Sequence, residues 1–291
     1  MTKVQPIFEV TKDETVTSKT HDDAFVPGAL KGKVALLAGA SSGINLAIAQ
    51  HFARAGAKVA ILSRTRERIE AAGRSIADEG FPVLARAADV REFDSIDGVF
   101  RETVETFGKI DIVVSGAAGN FHAAAANISA NGFRTVIEID LIGNFNVLRA
   151  SFPYLSKPGA SLISITAPGG THPSMFQVHA NSAKAGINMM TRCLAMEWGP
   201  AGVRVNAISP GPIAGTEGMA RLAATPEREA LIKKRLALRD YGALRDIADT
   251  ALFLATANSR YITGAIIDCD GGSGLGDASA DALAPPPRPA G

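Results

Sequence analysis

The stretch Ala38-Gly39-Ala40-Ser41-Ser42-Gly43-Ile44-Asn45 constrains this chain more than any other, because a short apolar run, Val34 to Leu37, enters it and an alanine-rich helical pattern leaves it. It reads as a strand, a tight turn and a helix start. Gly39 can take backbone angles closed to other residues, and Gly43 lets the main chain approach a ligand with no Cβ in between. The N–H groups of the first helical turn then suit a phosphate, which makes Gly39, Ser41, Ser42, Gly43 and Ile44 candidate contacts. Asn45 replaces the third glycine of a G-x-x-x-G-x-G turn. The turn alone therefore leaves nucleotide binding and an ordinary strand–helix connection both open.

The rest of the chain repeats that first unit. Lys58–Ser63, Pro82–Ala87, Ile110–Ser115, Ser161–Thr166, Val203–Ser209 and Ala265–Cys269 read as further strands, each separated from the next by a helical pattern. Seven strands in strict alternation with helices imply one α/β domain, a doubly wound parallel sheet with helices on both faces, spanning residues 31–275. Residues 1–30 are polar, end in Pro27-Gly28 and read as a flexible arm; the proline-rich residues 276–291 read as a disordered tail. The 46% apolar content can supply a large core.

Thirty Lys and Arg against 29 Asp and Glu leave a formal charge of +1, so no global field recruits nucleic acid or an anionic membrane. Neither the amino-terminal residues nor any apolar run resembles a signal peptide or a membrane span, and Pro289-Ala-Gly291 is not a peroxisomal address. A cytoplasmic, reducing location is expected. Cys193 and Cys269 lie in apolar surroundings without metal-ligand spacing and read as buried thiols, and no metal site is expected.

In a doubly wound sheet, ligands bind at the carboxyl ends of the strands beside the first one. After the second strand stands Arg64, where an acid would accept the ribose hydroxyl of NAD and a base meets the 2′-phosphate of NADP. The cofactor expected is NADPH. After the third strand, Asp89 and Val90 are placed to meet the adenine. After the fourth, Ser115-Gly116-Ala117-Ala118-Gly119 is small enough for a cofactor to lie against the backbone.

Gln177-Val-His-Ala-Asn-Ser-Ala-Lys184, Glu197-Trp-Gly-Pro200 and Val203-Arg-Val-Asn206-Ala-Ile-Ser-Pro210-Gly-Pro-Ile213 add to these signs. With the Gly39/Gly43 turn and Asp89-Val90, the chain resembles the short-chain dehydrogenase/reductase family over residues 31 to 272, and with it a Rossmann-type fold. The resemblance implies cofactor contacts from Ala117, Lys184, Pro210, Gly211, Ile213 and Thr216, with Lys184 on the nicotinamide ribose. The family's tyrosine, four residues before that lysine, is here Ala180, and its serine is Ala167. Ala117-Ala-Gly-Asn-Phe121, Gln177-Val-His-Ala180 and Pro210-Gly-Pro-Ile-Ala-Gly-Thr-Glu-Gly218 resemble the peroxisomal-type 2,4-dienoyl-CoA reductases, which also lack the tyrosine.

That resemblance implies NADPH-dependent reduction of an unsaturated acyl-CoA, with Asp140 as the acid and Lys184 beside it. Nearby Lys184 should lower the Asp140 pKa while burial raises it, and a water held between the two is one route for the proton. Arg91 and Arg221 match basic positions for the CoA ester, and Phe121 a residue of the acyl pocket. Lys233-Lys234-Arg235 reads as a solvated helix face, and His122, His172 and His179 as surface or satisfied histidines. Two long helical patterns, Asn131–Leu155 and Met175–Trp198, carry more apolar residues than one sheet-facing stripe needs, and the family pairs them between subunits, so a homotetramer is expected. Two other readings stay open: another enoyl or carbonyl substrate, and a non-catalytic NADP-binding sensor or scaffold.

Overall fold

The computed structural model describes residues 25–223 and 225–279, apart from the side chain of Arg221. Most of the expected arm and tail lies outside the described residues. At its inner end the arm stops short of Leu30, which is buried in the core and donates its N–H to the Ala55 carbonyl at 2.9 Å.

Among the described residues, seven strands form one sheet: β1 (Val34–Ala38), β2 (Lys58–Ser63), β3 (Val83–Ala87), β4 (Ile112–Ser115), β5 (Ser161–Ile165), β6 (Arg204–Pro210) and β7 (Ile266–Cys269). Their spatial order is β3-β2-β1-β4-β5-β6-β7, and all neighbours are parallel. The order reverses between β1 and β4, so the connections after these two strands leave in opposite directions and open a crevice at their carboxyl ends.

Side chains alternate across the sheet, and both sides are buried. Ala35 and Leu37 of β1 join Val59, Ile61, Ile163 and Ile208 on one face, under α1 (Gly43–Arg54) and α2 (Arg66–Ala77). Leu36 and Ala38 join Ala60, Leu62, Val113, Leu162 and Val205 on the other, against α3 (Phe93–Phe107). Each fully buried Leu or Ile contributes about 1.5–3 kcal/mol, which is why β1 is apolar at every position and its neighbours β2 and β4 are apolar between their ends. The edge strands β3 and β7 are only partly covered.

The first long helical pattern is interrupted where the sequence gives no break. α4 (Ala130–Ile137) passes into a π-helical turn, Glu138–Ile142, before α5 (Gly143–Ser151) resumes, and the Gly143 N–H donates to the Glu138 carbonyl five residues back. Such insertions are uncommon and often sit at functional sites. A Cβ on Gly143 would come within 2.5 Å of a Val90 methyl, so glycine lets α5 seat against the residue that follows β3. The second pattern forms α6 (Val178–Trp198), starting three residues later than Met175. α7 (Glu217–Leu222) and α8 (Pro226–Arg235) follow β6, and α9 (Leu244–Ala255) packs against α1.

Cys193 departs from its expected burial. It lies on the outer face of α6 with exposed Met189 and Met196, because the buried face of that helix is taken by Ala180, Ala183, Ile187 and Leu194. Cys269, in edge strand β7, is partly buried. No described helix is long and apolar enough to cross a membrane, and no cluster of metal-ligating side chains occurs among the described residues.

Candidate active site

A cleft of about 720 Å³ opens over the carboxyl ends of β1 and β4. Its floor is the β1–α1 turn. Gly39 has φ of +77°, and a Cβ there would lie 2.7 Å from the Ala117 backbone, so glycine lets this turn touch the loop after β4. Gly43 has φ of +59° and open space where its Cβ would project. Ser42 makes no side-chain cap to α1 and no acid stands in its first turn, which leaves the positive end of the helix toward the cleft.

Asn45, in place of the third glycine, sends its side chain over Gly116, where an added Cβ would meet its amide at 2.4 Å. Its Nδ2 donates to the Gly39 carbonyl at 3.4 Å. The departure from the glycine pattern thus fills a contact between turn and loop.

The lining brings together Gly39, Ser41, Ser42, Gly43, Ile44, Arg64, Asp89, Val90, Ala117, Asp140, Lys184, Pro210, Gly211, Ile213 and Thr216. Arg64 is exposed at one end, without an ion-pair partner among the described residues. Arg68 also lines the cleft and faces Glu217 of α7 at 3.9 Å. These features fit a dinucleotide: a glycine turn with bare amide donors, small residues over β4 and a cation beyond β2.

At the other end the π-turn carries Asp140 inward, only 1% exposed. Its Oδ1 accepts the Gly119 N–H at 2.7 Å, and its Oδ2 lies 3.4 Å from Lys184 Nζ. Lys184 also donates to the Ile165 carbonyl at 3.2 Å, which holds the ammonium over the end of β5. Burial pushes the Asp140 carboxyl above the ordinary carboxylate range, against the opposing pull of Lys184 and the Gly119 N–H. Burial wins the opposition foreseen from sequence. One turn before Lys184, Ala180 faces the cleft with only a methyl group, and Ala167 lines it beside Thr166.

Two of the expected acyl-CoA residues, Arg91 and Phe121, are not gathered by this cleft. Arg91 lies outside its lining and is engaged by Asp89 at 2.6 Å, a contact that holds the Asp89 carboxyl below its usual range. Phe121 is half-exposed and its ring packs on His179, centroids 4.3 Å apart. Arg221 falls in α7, and its side chain lies outside the described residues.

His179 corrects the reading of the histidines. It is neither at the surface nor satisfied: it is fully buried, and neither ring nitrogen has a hydrogen-bonding partner among the described residues. The signal was present, since His179, Ala183 and Ile187 recur at helical spacing on one buried face of α6. The π-turn left no such trace.

With this geometry in place, comparison with known proteins gives the class. A family model described as Enoyl-(Acyl carrier protein) reductase matches residues 39–274. The chain belongs to the short-chain dehydrogenase/reductase family, and is an oxidoreductase that uses a nicotinamide cofactor. It is 40% identical over 273 residues to a peroxisomal 2,4-dienoyl-CoA reductase [(3E)-enoyl-CoA-producing] of Danio rerio, covering 93% of this chain and 90% of that one. The protein of the same name from Arabidopsis thaliana is 39% identical over 262 residues, covering 86% and 87%. A solved short-chain dehydrogenase/reductase from Serratia marcescens superposes with a TM-score of 0.78 at 27% identity, covering 84% of this chain and 99% of that one.

The peroxisomal names of these relatives overturn the cytoplasmic location expected from sequence. The expectation rested on missing address motifs and on two cysteines read as buried thiols, and neither records which reducing compartment a protein occupies.

Proposed function

We propose that this protein reduces 2,4-dienoyl-CoA to 3-enoyl-CoA with NADPH. The observation that carries the reading is a buried Asp140 paired with Lys184 at a cleft where Ala180 stands in place of a phenol. Relatives bearing this activity in their names support it.

Bound NADPH supplies a hydride to the far end of the conjugated thioester. The protein's own task is then to support negative charge on the thioester oxygen and to place a proton on the carbon beside it. A carboxyl whose pKa burial raises is suited to give that proton, whereas a phenol aimed at a carbonyl would sit where the acyl chain must pass. Lys184 binds the nicotinamide ribose and neutralises Asp140 once its proton has gone. Ser41, Ser42, Gly43 and Ile44 cradle the pyrophosphate beside Gly39, and Asp89 and Val90 bound the adenine. Ala117, Pro210, Gly211, Ile213 and Thr216 enclose the nicotinamide half, and Arg64 takes the 2′-phosphate. Arg91 and Arg221 meet the phosphates of CoA, the five guanidinium donors of Arg91 leaving some beyond Asp89, and Phe121 walls the acyl chain.

NADPH oxidation compared across 2,4-dienoyl-CoA, 2-enoyl-CoA and 3-oxoacyl-CoA tests the proposal. Preference for the dienoyl ester is expected. Preference for either of the others would reassign the substrate, and NADPH binding with no turnover on any would make the protein a sensor or scaffold.

We also propose a homotetramer. Exposed Phe133, Ile142 and Phe145 along the α4–α5 segment, with Val178, Met189 and Met196 on α6, give these two helices apolar outer faces. Light scattering at micromolar concentration should return four times the chain mass of 30.2 kDa, and a monomer would refute it.

A further inference from the structure

His179 is the buried titratable group that the proposed chemistry leaves unused. Both of its ring nitrogens lack partners among the described residues, a state that native proteins seldom keep without a functional reason. An apolar residue would suit the position as well, since Ala183 and Ile187 on the same face are apolar and buried. The imidazole is instead joined to Asp140 through one short loop. Gly119 donates to Asp140 Oδ1, and two residues on, Phe121 lays its ring on His179. Charge on the imidazole favours the ionised carboxyl.

We propose that His179 is a positioning residue for the reduction, stabilising the charge that appears on Asp140 as its proton leaves. This rests on the reading of Asp140 as the acid. In that step the Asp140 O–H bond breaks, the proton joins the electron pair on the carbon beside the thioester, and a carboxylate remains. The two electrons come from the reduced nicotinamide of the proposed activity, and solvent returns the proton to Asp140 in the next turnover. Because neither nitrogen of His179 has a partner among the described residues, supporting the new carboxylate costs the ring no existing hydrogen bond. Lys184 supports the same charge from the other oxygen. Other charged groups on elements packed against α6 are directed elsewhere: Arg134 is exposed, Glu138 acts on Arg91, and Arg204 donates to the Leu254 carbonyl.

His179→Phe keeps a ring against Phe121 and removes both nitrogens, and its melting temperature should equal or exceed the parent's, because unsatisfied polar atoms are lost. We expect kcat for dienoyl-CoA to fall about tenfold or more, with KM and NADPH affinity within about twofold. His179→Gln should recover part of the loss, and in an Asp140→Ala background His179→Phe should add nothing. A second readout needs no substrate. In infrared titration, the protonated-carboxyl band that Asp140→Asn abolishes should persist to higher pH in His179→Phe than in the parent. A kcat within about threefold of the parent together with an unmoved band would overturn the proposal. If the parent itself fails to reduce dienoyl-CoA, the functional reading fails separately, and the infrared titration alone decides the role of His179.

Discussion

The two halves of the cleft are built from different materials. Around the glycine turn the surface is mostly main chain: Gly39 and Gly43 at positive φ, Gly116 under Asn45, and Ala117 against Gly39, all held at the ends of β1 and β4. Around Asp140 it is made of side chains on helices, set by a π-turn in the α4–α5 segment and by the spacing of α6. A main-chain cradle presents fixed donors whose cost of ordering is already met by the sheet, so it suits a ligand that many relatives share. Side chains on helices can be exchanged one at a time without rebuilding the strands. In the proposed reading Ala180 and Asp140 are such exchanges, moving the source of the proton while leaving the cradle intact.

The sharpest way to break this division is Asp140→Ala. If the halves are separable, turnover should fall by about 10²–10⁴-fold, as for loss of a general acid, while NADPH binding stays near the parent's. Fluorescence titration with single-turnover kinetics measures both. Turnover within about threefold of the parent would reduce Asp140 to an ion-pair partner of Lys184.

On the cradle side, Arg64→Ala should leave dienoyl-CoA turnover at saturating cofactor unchanged and cut the preference for NADPH over NADH. A charge-assisted contact to the 2′-phosphate is worth about 1.5–3 kcal/mol, or about tenfold to a hundredfold. Retained preference in the variant, or equal affinities in the parent, would move cofactor selection away from Arg64.

The same division decides what could be read from the sequence. The strands and the tight turn after β1 were legible because they depend on apolar runs and on where glycine is required, both local properties. Asp140 was reached only through resemblance, and the physics of its residue type left its charge undecided, because desolvation depends on a burial that spacing cannot supply. The π-turn was invisible: Glu138–Ile142 has the composition of ordinary helix, and nothing in its residue types marks the extra residue. His179 was passed over because a histidine on a buried stripe is ordinarily satisfied, and only the three-dimensional surroundings reveal both nitrogens bare.

A third measurement concerns pH. An acid must be protonated to act, and burial raises the Asp140 pKa above the ordinary carboxylate range. The kcat profile should therefore be flat on the acid side and fall about tenfold per pH unit beyond that raised value. Removing the ammonium by Lys184→Ala takes away the force that lowers the pKa, so at saturating NADPH the falling limb should move to higher pH. A limb that stays in place would mean that Lys184 does not act on the titrating group.

The smallest expected effect lies at the seam between the halves. The proposed reading assigns Arg91 to CoA phosphate, yet its guanidinium already holds Asp89, which lines the cleft. An exposed ionic contact contributes about 0.2–1 kcal/mol, so Arg91→Ala should raise KM for dienoyl-CoA by at most about fivefold, with kcat unchanged. Salt should shrink the difference, since such contacts are screened within about 10 Å at 0.1 M ionic strength. The variant also frees Asp89, whose ionised carboxyl then stands beside Arg64 with one fewer cation. If the loss appears in NADPH affinity rather than in KM for the thioester, Arg91 belongs to the cradle and acts through Asp89. The CoA phosphates would then have to be met by other cations, Arg221 first among them, and the two halves would share a residue instead of merely a border.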